Sequence, residues 1–146
     1  MDIPSPMYET VASLARSMFE ANESGQTIVY WRSYNALLAY CEEQEAQGVR
    51  HPFPWETLAD FTRDDLAAVP LYRHALEQAG QADAYRASIL LELARRYQGC
   101  EQHEAAWTCV SEANDCAASL DDLDLKRDIS RFMLGLSATR SSLSNG

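Results

Sequence analysis

The sequence predicts an all-α protein, a short array of about six to seven helices arranged as stacked antiparallel hairpins. Two observations carry this. Apolar residues recur three and four apart in segment after segment, the spacing of a helix with one buried stripe. No run rich in Val, Ile and Thr alternates with polar residues between hairpin turns, so strands are not expected. The predicted organisation is a single helical domain over residues 1–137. It divides into an N-terminal hairpin (6–47), an insertion (48–62), a repeat-like core (63–120) and a capping helix (124–137), followed by a flexible tail (138–146).

Ser5 and Pro6 form a helix start, and Met7, Val11, Leu14, Ala15, Met18 and Phe19 then mark one face over about residues 6 to 22. Asn22 through Gly25 ends that helix. A second begins near Thr27, places Trp31, Tyr34, Leu37, Leu38 and Cys41 on one side, and closes at Gly48. The short connection implies antiparallel packing. The prolines in His51-Pro52-Phe53-Pro54-Trp55 break the pattern, because each disfavours helical geometry at the residue before it. The segment is either an insertion or a distorted half-repeat, and Trp55, Leu58, Ala59 and Phe61 are compatible with a short helix there.

Thr62, Asp64 and Asp65 read as the cap and acidic first turn of the next helix. Its apolar face is Ala68, Tyr72 and Ala75, and Pro70 inside it implies a kink, a penalty of about 3 kcal/mol, or a start nearer Val69. Gly80 ends it. Tyr85 to Gln98 turns Ile89, Leu90, Leu93, Ala94 and Tyr97 inward, and after the turn at Gly99, His103 to Leu120 returns with Ala106, Trp107, Val110, Ala113 and Ala117. Asp121 and Asp122 break the pattern before a last helix from about Asp124, with Leu125, Ile129, Phe132, Met133 and Leu136, expected to shield the open end of the stack.

The order large, Leu, small, Tyr in one helix (Leu90, Leu93, Ala94, Tyr97), then Ala, apolar, Ala in the next (Ala106, Val110, Ala113), resembles the tetratricopeptide repeat. The match is closest over residues 84–117 and partial over 64–80. Ala94 stands where the family has glycine, Val110 and Tyr72 where it has phenylalanine, and Ala118 near its closing proline. Ala68 and Ala106 are further apart than its ~34-residue period, so a hairpin array of another kind stays open. The resemblance implies protein binding along a concave face lined by the first helix of each pair, here Ser88, Leu91, Arg95 and Gln98. The Lys and Asn cluster with which some members clamp a peptide carboxylate is missing.

Twenty-two acidic residues against 12 basic ones give a net charge of −10, which disfavours phosphate backbones and either favours capture of a cationic partner or serves solubility alone. The acids concentrate in Glu101, Glu104, Glu112, Asp115, Asp121, Asp122, Asp124 and Asp128, which form either a binding surface for a basic protein or a merely solvated face; Phe53 and Trp55 are a separate candidate, as interface anchors or as core packing. Neither a signal peptide nor a membrane span is read, so a bacterial cytoplasmic setting is expected. Cys41, Cys100, Cys109 and Cys116 are then expected to be thiols, with Cys109 and Cys116, seven apart on one helix face, packing as small apolar residues.

His51, His74 and His103 lie in separate segments without a ligand or triad motif, so no metal, cofactor or catalytic residue is expected. These features point to a non-catalytic protein-binding module. Its sharpest form is a small acidic immunity or antitoxin protein that neutralises a cationic toxin, and the alternatives are a secretion chaperone or adaptor and a small enzyme or ligand receptor.

Overall fold

The computed structural model describes residues 1–144, and among them every regular element is a helix. Seven follow in order: α1 (Ser5–Glu23), α2 (Thr27–Ala46), α3 (Pro52–Asp60), α4 (Asp65–Ala79), α5 (Asp83–Gly99), α6 (His103–Ala117) and α7 (Leu123–Ser144). Three hairpins, α1–α2, α3–α4 and α5–α6, stack through contacts of α2 with α3 and of α4 with α5, and α7 covers α6.

Two clusters of buried side chains hold the array. The smaller gathers Met7, Val11, Met18, Tyr30, Leu37, Cys41 and Leu58 from α1 to α3. The larger runs from Ala59 through α4, α5 and α6 to Ile129 and Leu136. Trp55 and Leu71 border both. Alanines occupy the crossings. Ala68, Ala75, Ala94, Ala106 and Ala113 are fully buried, and their size lets neighbouring backbones approach closely.

Residues 48–62, open in the sequence between an insertion and a distorted half-repeat, contain α3, which packs against α4 as one half of a hairpin. The prolines permit this helix because Pro52 opens it and both prolines lie in its first turn, where backbone N–H groups have no intrahelical acceptor. His51 caps the turn by accepting from the Phe53 amide at 3.1 Å. Asp64 caps α4, accepting from the Ala67 amide. Thr62, expected in that role, instead bonds the Leu58 carbonyl and the Tyr34 hydroxyl.

α4 begins at Asp65 and continues through Pro70. Pro70 and Leu66, whose carbonyl would have accepted the missing N–H, are both exposed, so water can satisfy the orphaned acceptor. Trp31 and Phe19, expected inside, are 43% and 60% exposed. Tyr30 and Met18, one residue earlier in each helix, take the buried positions.

The expected flexible tail over 138–144 is helical, as the last turns of α7, while 145 and 146 lie outside the described residues. Asp122 caps the start of α7 by accepting from the Leu125 amide at 3.0 Å. Near its end Arg140 donates twice to Glu104, at 3.0 and 3.2 Å, and lies 4.6 Å from the Trp107 ring centre. No proline interrupts α7, so these contacts carry the helix past Leu136.

Enlarging a crossing residue tests this packing. Ala94→Leu is expected to destabilise the protein by about 1–3 kcal/mol in urea unfolding, and Ala118→Leu, at an exposed position, by less than about 0.5 kcal/mol. Equal effects would show that close approach at Ala94 is not required.

Candidate functional site

The first helices of the second and third hairpins repeat one pattern. Phe53, Glu56 and Asp60 on α3 match Tyr85, Ser88 and Glu92 on α5 in an aromatic-x-x-polar-x-x-x-acid spacing. Offsets of three and seven place each trio on one helical face. The two faces meet, since the Ser88 hydroxyl donates to Glu56 at 3.1 Å across 32 residues of sequence. Tyr8 of α1 continues the surface by stacking on Phe53 at 5.9 Å.

Three carboxylates converge here. Burial raises the carboxyl of Glu56 from 4.5 to about 7, with the charges of Asp60 and Glu92 adding to it and the Ser88 hydrogen bond opposing it. Burial likewise raises Asp60 from 3.8 to about 6. Asp60 is exposed as a residue, but its carboxylate accepts from the buried Tyr72 hydroxyl. The charge of Glu92 pushes the Asp60 value further up, while Arg96 pulls it down. Arg95 donates to Glu92. Arg96 spans to α4, donating to Asp65 at 3.1 Å and to the Ala59 carbonyl at 3.3 Å.

His51 closes one end of this surface. Its Nδ1 accepts from the Phe53 amide, so the proton resides on Nε2, which donates to the Asp2 carbonyl at 3.2 Å. Burial holds its ring below the usual histidine range, and the ring meets Tyr85 edge to face at 5.4 Å. A neutral His51 thereby ties the extended N-terminal residues to α3 and α5.

The anticipated residues do not form one surface. Ser88 and Arg95 lie on the shared face, but Leu91 is buried, because α4 and α6 flank α5 and enclose most of its circumference. Gln98 is half-buried beyond Arg95. Phe53 and Trp55 diverge. Two residues apart on a helix they point about 200° from one another, and Trp55 meets His74 edge to face at 4.4 Å, beside a 2.7 Å contact between His74 and Glu45.

The acidic residues from 101 onward are scattered, and all except Asp128 are exposed. Glu104 is engaged by Arg140, Glu112 by Arg86 and Asp124 by Arg127. Asp122 serves as a cap. Glu101 takes a left-handed backbone in the α5–α6 turn, while Asp115 and Asp121 face solvent and Asp128 is half-buried.

Glu56, Asp60, Glu92 and Tyr85 escaped the sequence reading, although the duplicated spacing in α3 and α5 contains the signal. All four cysteines are free thiols, and burial pushes Cys41 up to about 12, a value that suits a packing residue. Among the described residues no cluster of His, Cys, Asp or Glu has metal-site geometry, and no helix is long and apolar enough to cross a membrane. No family model, curated protein or solved structure matches the chain.

The raised carboxyls fix a pH dependence. Between 4.5 and about 7 the folded chain holds a proton on Glu56 that the unfolded chain has released. This contribution to stability is therefore full below the unfolded value and is lost as pH rises through the folded one. Asp60 acts in the same sense between 3.8 and about 6. Glu56→Gln is expected to flatten that slope in thermal unfolding and to raise stability at pH 8 by about 1 kcal/mol after solvent screening. A loss of stability at pH 8 would overturn this account.

Proposed function

We propose that this chain is a non-catalytic protein-binding module whose α1–α3–α5 face takes up a basic segment of another protein. The observation that carries the reading is the convergence of Glu56, Asp60 and Glu92 beside the Tyr8–Phe53 stack. Carboxylates partly withdrawn from water attract a cation more strongly than solvated ones do. A lysine or arginine seated among them favours the ionised form of Glu56 and relieves their mutual repulsion. The neighbouring aromatics offer apolar surface for the stem of such a side chain. The resemblance to tetratricopeptide repeats supports the same face, because it is lined by the first helix of each hairpin.

With the net charge of −10, the sharpest form of the proposal is an immunity or antitoxin protein that occludes a cationic toxin. Here the acidic α1–α3–α5 face would hold a basic element of the toxin while the rest of the surface steers the encounter. A second reading, a small acid–base enzyme, draws on the same two perturbed carboxyls, since such pairs mark many active sites.

Fluorescence anisotropy with an arginine-rich peptide tests the binding face. Glu56→Gln with Glu92→Gln is expected to weaken binding by about tenfold. Glu42→Gln with Glu43→Gln, which makes the same change in formal charge on the exposed end of α2, should alter it by less than about twofold. Equal losses would reduce the interaction to net charge and remove the α1–α3–α5 face from it.

A further inference from the structure

The outward side of α7 differs in charge from the rest of the chain. Ile129 and Leu136 face the core, and helical spacing then places Leu123, Arg127, Arg131 and Leu134 on the opposite side. Leu123 and Leu134 are 70% and 74% exposed. On that exposed side Arg127 and Arg131 stand against Asp124 alone, Arg140 being turned inward to Glu104, in a protein where acids outnumber bases 22 to 12. Arg127 reaches Asp124 only at 3.4 Å, both side chains being largely solvated, so this pair offers little resistance to exchange.

The other end of the array has the opposite character. α1 exposes Glu9, Glu20 and Glu23 with Arg16 as its only base, and Phe19 and Ile28 are 60% and 75% exposed beside them. The helices are similar in length, 19 residues in α1 and 22 in α7.

We infer that the outer face of α7 docks on the outer face of α1 in a second copy of this chain, extending the stack head to tail. Laid antiparallel, Arg127 meets Glu23 and Arg131 meets Glu20, since each pair of like charges is spaced by about one helical turn. Leu123 then falls beside Ile28 at the start of α2. The apolar side chains supply burial while the charges fix orientation and register. Because the two faces differ, the contact repeats from copy to copy instead of closing as a two-fold dimer.

Sedimentation velocity over rising protein concentration tests the docking. Wild type is expected to form species larger than a monomer, with association weakening as salt is raised. Arg127→Glu with Arg131→Glu, and separately Glu20→Arg with Glu23→Arg, should each weaken self-association on the order of tenfold or more, with unchanged circular dichroism. An equimolar mixture of the two variants should associate again, because each then offers the charge that the other has lost. A wild type that stays monomeric throughout, association unaffected by either reversal, or a mixture that fails to recover would overturn the proposal.

Discussion

Close approach of helices at alanine sets the geometry of this protein. Ala94 on α5 and Ala106 and Ala113 on α6 have no exposed surface, and α5 and α6 form the most intimate helix pair in the molecule. Larger side chains at those points would separate the axes and open voids, and a tightly packed interior tolerates neither. The same device at Ala68 and Ala75 ties α4 into the stack. With α4 and α6 held tightly on either side, α5 is buried over most of its circumference and leaves one strip free. That strip carries Tyr85, Ser88, Glu92 and Arg95.

The electrostatic character of this face follows from this packing. α3 is only nine residues long, and its Phe53, Glu56 and Asp60 come up against the strip on α5 through the Ser88–Glu56 hydrogen bond. Glu56 and Asp60 thus lie where solvation is incomplete, and their like charges oppose one another. Tyr72, buried in α4, satisfies one oxygen of Asp60, and Arg96 ties the neighbouring α3 carbonyl to Asp65. Apolar burial positions the acids, and hydrogen bonds then orient them.

The all-α class and the inward alanines were legible because helical periodicity is a local property and small residues at crossings leave a regular trace. Pro52 and Pro54 misled for a local reason too. A proline is hostile to a helix interior but suits its first turn, and only the His51 cap reveals which applies. Trp31 and Phe19 lay one residue off the buried stripe, an error that broad apolar runs invite. The acids from Glu101 onward are dense in sequence, yet helix turns scatter them, and arginines of other elements engage Glu104 and Glu112. Glu56, Asp60 and Glu92 are unremarkable in linear order. Their significance comes from a face shared by two helices, visible in the sequence only when α3 and α5 are aligned with each other.

The division of the interior at α3 has a consequence for how the array melts. Leu58 belongs to one cluster and the adjacent Ala59 to the other, with Trp55 at the seam. In a linear stack each unit is stabilised by its neighbour across one junction, so the α1–α2 hairpin is coupled to the remainder chiefly through this nine-residue helix. With Trp31 and Trp107 replaced, the indole at position 55 becomes an intrinsic optical gauge of whether the two halves lose their order in concert or in succession.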